Sequence, residues 1–257
     1  MSYLEAVREH KRREVTRRKA AVLRAALESR PLFGEPRRGL LTRLRRRAPT
    51  FLGDPGSRLR AEGDVEWVRL LRRFSHAGSS ALVIPTDSHF LGGDSTLLER
   101  ARRCVDLPLL QRDYILDPYQ IYEARAWGAD GILLMPAMLD PMALLEMREV
   151  ASELDLDCVV VVGREADLDA LDPGLVSAMC IDNRDPDTFE PDMMSSVRLR
   201  KRLPRDTVVL SEGGILSLSD VRFLWERGIA AVMAGTELLG RLEAEGPQEG
   251  SAHGAAS

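Results

Sequence analysis

Two carboxylates close short apolar runs of this chain. The run at 176–181 ends in Asp182, Asn183 and Arg184, and the run at 207–210 ends in Ser211, Glu212, Gly213 and Gly214. If the two runs are neighbouring strands, Asp182 and Glu212 stand side by side at adjacent strand ends. That arrangement separates two carboxyl pKa values, so that one group serves as acid and the other as base. Glu212 has a second reading, as a structural carboxylate paired to Arg184 or Arg112. Arg112 follows a third apolar run, at 107–111. A guanidinium is charged at every working pH and is a poor proton donor, but it polarises a carbonyl or grips a carboxylate through its two-pronged fork. Asp54, Ser57 and Arg58 follow the run at 50–53, and Thr86, Asp87 and His89 follow the run at 80–84. The candidate acid–base set is Glu212, Arg112, Asp182 and Asp54. His89 is a further candidate ligand contact, with an ordinary loop residue as its plain alternative. Gly213-Gly214 and Gly235-Thr236 suit a different task. Glycines let backbone N–H groups approach a phosphate, and a helix starting after Gly235 adds a favourable dipole. The plain alternative is that they only turn the chain.

These residues need a scaffold that brings strand ends together. The stretch 107–135 predicts a strand, a helix capped by Asp117 with Pro118 in its first turn, a stop at Gly128, and a second strand at 131–135. Such a βαβ crossover is almost always right-handed. Further strands are expected at 158–162 and 230–234, with helices at 64–74, 95–104, 141–154, 192–202 and 219–227. Eight strands alternating with helices in 257 residues predict an α/β fold, a closed (β/α)₈ or TIM barrel. An open α/β sheet is the alternative, but FLGDPG is a poor nucleotide loop. In a barrel, the active site lies where the strands end.

Residues 4–28 predict one helix with Leu4, Val7, Lys11, Val15, Val22 and Ala26 on one stripe. The expected organisation is an N-terminal helical extension over 1–49, the barrel over 50–240 and a disordered tail over 241–257. The extension is strongly basic, yet the net charge is −4, and no nucleic-acid motif accompanies the arginines. A solvated helix face accounts for them, so no nucleic-acid partner is expected. No apolar run approaches the roughly 18–20 residues of a membrane span, and the first residues lack a signal-peptide core. Cys104, Cys158 and Cys180 are widely spaced and read as reduced core thiols of a cytoplasmic protein. Neither a metal nor a cofactor is called for.

The stretch RDYILDPYQIYEARAWGADGILLM resembles the third strand, third helix and fourth strand of the indole-3-glycerol-phosphate synthase family, whose pattern reads KDFIIDPYQIYEAR, then GAD and an apolar strand. The resemblance covers about 50–240. It implies a lyase of tryptophan-type biosynthesis that closes and decarboxylates an N-aryl ketose phosphate. It also implies an acid–base set of a strand-three lysine, a glutamate and lysine on strand one and a glutamate on strand five. A strand-six Asn, with an Arg two residues on, holds the substrate. Carried over, Arg112 stands for the strand-three lysine, Val161 for the strand-five glutamate and Asp182 for the Asn, with Arg184 retained. Matching Ser57-Arg58 to the Ser-Lys of E-x-K-x-x-S-P-S-K-G puts Thr50 at the Glu and Leu52 at the Lys. Arg184, Asn183 and Ser57 are thus expected substrate contacts, and the Gly213, Gly214, Gly235 and Thr236 positions are phosphate contacts. The chain has only three lysines, Lys11, Lys19 and Lys201, none of them expected at a strand end. The resemblance therefore implies a diverged synthase-like enzyme with an altered acid–base set. A pseudoenzyme binding a phosphorylated ligand or a protein, and an ordinary synthase, are the alternatives. The oligomeric state is left open.

Overall fold

A computed structural model of the chain describes residues 3–45, 48–56, 63–169, 171–172, 174, 176–185 and 188–245. Eight parallel strands close into one barrel in chain order. They are β1 (Thr50–Gly53), β2 (Ala81–Pro85), β3 (Leu109–Arg112), β4 (Gly131–Leu134), β5 (Asp157–Val162), β6 (Ala178–Asp182), β7 (Val208–Glu212) and β8 (Ala231–Ala234). The seam pairs Thr50 through Gly53 with Ala231 through Ala234.

Alternation along each strand makes two cores. Inside the barrel lie Leu52, Val83, Leu110, Leu133, Val159, Val161, Cys180, Leu210 and Met233. The residues between them pack outward against the helices. Helices α1 (Tyr3–Ala21), α2 (Arg24–Glu28) and α3 (Leu40–Leu44) precede the barrel. Leu40 and Leu44 join the inner core, so α3 plugs the barrel end where the strands begin. Its Leu41 amide donates to Asp157 at the start of β5 (3.0 Å). The surrounding helices are α4 (Gly63–His76), α5 (Ser95–Cys104), α6 (Pro118–Trp127), α7 (Pro141–Glu153), α8 (Glu165–Asp169), α9 (Met194–Arg200), α10 (Leu218–Trp225) and α11 (Thr236–Glu245). The five-residue α3 and α8 escape sequence reading because neither completes two helical turns.

Helix α6 starts and stops as its sequence dictates. The Asp117 side chain accepts from the Tyr119 amide at 2.9 Å, and Gly128 adopts φ +90°. A Cβ at Gly128 would also lie 3.1 Å from Leu32 and 3.2 Å from Arg102. The outer face of α6 is covered by the extension, where Val15 and Leu27 meet Tyr119, Tyr122 and Ala126.

Residues 4–28 form two helices rather than the single one expected. The chain extends at Leu23, and the Val22 carbonyl freed by the break accepts the Tyr119 hydroxyl at 2.8 Å. Of the expected stripe, Val7 and Val15 are buried, but Val22 is 41% exposed and does not join the core. Residues 241–245 continue α11, which corrects the expected tail boundary; 246–257 lie outside the described residues. Among the described residues, no helix is long and apolar enough to cross a membrane.

Candidate active site at the barrel mouth

Arg112 is the hub of the mouth. It ends β3 with its side chain facing inward and 22% exposed. One guanidinium nitrogen donates to Asp54 at 2.7 Å, and the other donates to Glu212 across the barrel. The second nitrogen also lies 2.8 Å from Met233 Sδ on β8. Carboxylates from β1 and β7 are thus held by one cation from β3. Burial disfavours the charge on Arg112, but Asp54 and Glu212 more than offset it and raise its pKa. Burial pushes Glu212 above the usual carboxylate range; Arg112 opposes this, and Asp182 and Asp54 reinforce it.

Asp182 and Glu212 are register neighbours on β6 and β7. Their hydrogen bonds nevertheless diverge: Glu212 turns to Arg112, while Asp182 accepts from the Arg184 backbone at 3.0 Å and its guanidinium at 3.4 Å. Arg184 is half exposed and borders the cavity, so its fork remains open to a ligand.

The cavity occupies about 340 Å³ above the strand ends, walled by Tyr3, Leu4, Tyr114, Met135, Ala137 and Val161, with Asp182 and Arg184 on its polar side. An adjoining pocket of about 180 Å³ reaches down to Arg112 and Glu212. Val161 puts an apolar side chain from β5 on the wall of both cavities.

Other expected contacts fall elsewhere. Asn183 is 2% exposed, and its amide is spent within the rim. It donates to Ser211 at 2.9 Å and to the Gly213 carbonyl at 3.0 Å, and accepts from the Ser196 hydroxyl at 2.7 Å and amide at 3.2 Å. No ligand contact is left to it, so the expectation is corrected to a brace between β6, β7 and α9. His89 is exposed and stacks on His10 of α1 (centroids 4.1 Å apart), away from both cavities. That, too, corrects its expected ligand contact. Ser57 lies outside the described residues.

Gly213 and Gly214 adopt φ +86° and +72°, a region where side chains are strained. A Cβ at Gly214 would come within 2.7 Å of Pro191, whereas one at Gly235 would meet nothing within 4 Å. Gly235 is exposed and Thr236 opens α11, whose first N–H groups have no partner within the helix.

The strand-one match is also shifted. Thr50 lies at the opening end of β1, hydrogen-bonded to Ser80, far from the mouth. The inward residues toward the mouth are Leu52 in the core and Asp54 at the rim.

A second charged cluster was not foreseen. Lys11 of α1 is fully buried, 2.5 Å from Asp87, 2.9 Å from Asp113 and 2.9 Å from Glu14. A lysine thus does reach the ends of β2 and β3, but it is sealed away from the cavity. Thr86 donates to Asp113 at 2.7 Å and accepts from Gln111 at 2.8 Å. Beside them Arg18 meets Glu123 at 3.0 Å, and burial pushes Glu123 up to about 7. The signal in the sequence was a lysine on an otherwise apolar stripe.

The family model for indole-3-glycerol phosphate synthase matches residues 4–246. An indole-3-glycerol phosphate synthase of Chloroherpeton thalassium is 34% identical, over 93% of this chain and 95% of that protein. One of Chlorobium luteolum is 35% identical over 93% of each. Among solved structures, the tryptophan synthase α-subunit of Pyrococcus furiosus superposes with a TM-score of 0.56 at 18% identity, covering 77% of this chain and 91% of that one. At that identity the likeness is one of fold.

Proposed function

The chain belongs to the indole-3-glycerol phosphate synthase family, and from that premise we propose that it binds an N-aryl ketose phosphate in the barrel mouth with an altered acid–base set. The observation that carries this reading is the single guanidinium of Arg112 shared by Asp54 and Glu212, opposite an apolar Val161.

Each residue then has a defined task. The phosphate lies against the backbone of Gly213, Gly214, Gly235 and Thr236. Arg184 grips the ligand's carboxylate. Arg112 polarises the ketone oxygen without giving up a proton. Glu212, shifted upward by burial, is the carboxyl that transfers the proton, and Asp54 and Asp182 set the field around it. Ring closure needs the ketone activated and water expelled as CO₂ leaves. Val161 neither gives nor takes a proton, so dehydration lacks a partner on β5. The strand-one positions supply none either, in the first register (Thr50, Leu52) or the shifted one (Leu52, Asp54 already tied to Arg112).

The cavity favours a ligand-binding protein over one whose mouth is closed. Calorimetric titration with a reduced, unreactive N-aryl ketose phosphate tests the binding half of the proposal. Wild-type protein is expected to bind it, and Arg184→Met to bind it at least roughly tenfold more weakly, as for a lost charge-assisted contact. Equal affinities, or none in the wild type, would remove the proposal's basis.

A further inference from the structure

Arg112 has a third partner that carries no charge. The guanidinium nitrogen that donates to Glu212 also donates to Met233 Sδ at 2.8 Å. Met233 lies on β8, is 5% exposed and belongs to the inner core of the barrel. In barrel order β8 stands between β7, which ends in Glu212, and β1, which is followed by Asp54. The Asp54 amide donates to the Ala234 carbonyl at 2.8 Å, so the rim carboxylate and the thioether are tied to one seam. The guanidinium thus meets three successive strands in turn: Glu212 from β7, Met233 from β8 and Asp54 from β1.

The residue type at this position matters. A terminal guanidinium nitrogen carries two hydrogens, and here Glu212 takes one and the sulfur the other. Leucine would fill nearly the same volume but turn carbon toward the second hydrogen. A third carboxylate would accept it, but would add a like charge beside Asp54 and Glu212. A thioether on an unbranched stem accepts weakly and adds no charge. Holding one nitrogen from two strands resists rotation about the Arg112 Cζ–Nε bond, because a turn breaks both contacts. Two residues beyond Met233 comes Gly235, one of the proposed phosphate contacts, so β8 carries the end of the ligand and the partner of the cation on one short segment.

We propose that Met233 is a positioning residue: its sulfur fixes the Arg112 guanidinium, and with it the point at which the ligand's ketone oxygen is polarised. This rests on the reading of Arg112 as the polarising group and adds the residue that aims it.

The test reads the guanidinium first and the ligand second. In nitrogen NMR of the unliganded protein, rotation about the Arg112 Cζ–Nε bond is expected to be roughly two- to tenfold faster in Met233→Leu than in wild type. Met233→Gln, whose carbonyl is an acceptor of similar reach, should slow it again. An N-aryl ketose phosphate labelled with carbon-13 at the ketone then reports the consequence. Its bound signal should lie downfield of the free one in wild type and in Met233→Gln, and move back toward it in Met233→Leu, with affinity changed less than about twofold. Equal rotation rates in wild type and Met233→Leu would overturn the positioning role. Faster rotation with an unmoved ketone signal would overturn it too, because Met233 would then hold Arg112 without serving the ligand. A wild type that does not bind the ligand, or binds it with no downfield signal, would overturn the reading of Arg112 and the proposal built on it; the rotation rates separate that failure from a failure of Met233 to hold Arg112. If Met233→Leu does not fold, the methyl carbon signal of Met233 decides: one unchanged between wild type and Arg112→Leu overturns the proposal, and a shifted one sustains it.

Discussion

Two ionic clusters sit a few residues apart on the same barrel and do opposite things. Around Arg112, one cation holds two carboxylates at the floor of an open cavity. Around Lys11, one cation holds three carboxylates with no exposure of the cation at all. The first leaves its groups within reach of a ligand. The second closes its cation among protein carboxylates and works as a fastener between α1 and the ends of β2 and β3. Adjacent residues Arg112 and Asp113 belong to different clusters because successive side chains of a strand face opposite sides. Solvent access, rather than the type of charge, separates site from scaffold.

The largest effect that could break this contrast is loss of the fastener. Lys11→Met leaves Asp87 and Asp113 buried beside a methyl group, and should cost about 3–5 kcal/mol in denaturant unfolding. The pH dependence follows in sign. Lys11 is raised; burial opposes its charge, but Asp113 and Asp87 more than offset that. Its contribution is full below the unfolded lysine value and fades only at strongly alkaline pH. Asp87 is lowered: burial again opposes the charge, and Lys11 outweighs it. Its contribution is present above the unfolded aspartate value and is lost as pH falls through the acid range. Lys11→Met should remove that acid dependence. A variant as stable as wild type would show that the cluster fastens nothing.

Arg112→Met should cost less, about 1–3 kcal/mol, because Asp54 and Glu212 can reach water through the cavity. Its clearer signature is electrostatic: with the cation gone, Glu212 should titrate still higher, as followed by the carboxyl carbon shift in NMR. An unchanged titration would separate Glu212 from Arg112.

Glu123 sharpens the comparison from the buried side. Its folded pKa is raised to about 7 from 4.5 by burial, with Arg18 opposing. The folded state therefore binds the extra proton, and stability should rise as pH falls from about 7 to about 4.5. Glu123→Gln should flatten that part of the stability–pH curve. An unaltered slope would place the titration elsewhere. The smallest effect is expected from Val22→Ala, within about 0.5 kcal/mol for an exposed side chain, against about 2 kcal/mol for the buried Val7→Ala.

The barrel was legible because buried parallel strands are near-continuous apolar runs. β1 was read with its actual limits, and most other strands within one or two residues. Arg112 and Glu212 stood out because a charge directly after such a run belongs at the mouth. Their pairing was one of two partners read for Glu212, Arg184 or Arg112, and the structure takes Arg112; that Asp54 shares the same guanidinium was not legible, since strands β1, β3 and β7 meet only around the closed barrel. The strand-one match put Thr50, at the opening end of β1, where a mouth residue was expected, because pairing Ser57-Arg58 with a Ser-Lys pattern sets each strand position by counting, and a two-residue difference in spacing turns Thr50 and Leu52 into Leu52 and Asp54. Lys11 was on the predicted inward stripe of α1, but its carboxylates lie far along the chain and become neighbours only on folding. Asn183 and His89 were placed by chain position alone, which says nothing of which neighbours use up their hydrogen bonds or which face they take.

The proposed change of acid–base set is tested most directly by supplying the standard N-aryl ketose phosphate of the family to the purified protein and following indole fluorescence. Each proton transfer by a placed group is worth typically about 10²–10⁴-fold, and on the proposed reading Arg112, Val161 and the strand-one residues leave out more than one, although such losses seldom add. The account predicts no measurable indole-3-glycerol phosphate in wild type, and none in Arg112→Lys, because dehydration would still lack its partner on β5. Turnover near roughly one per second, an ordinary enzyme rate, would contradict it and make Arg112 and Asp54 working substitutes for the family's lysines and glutamates.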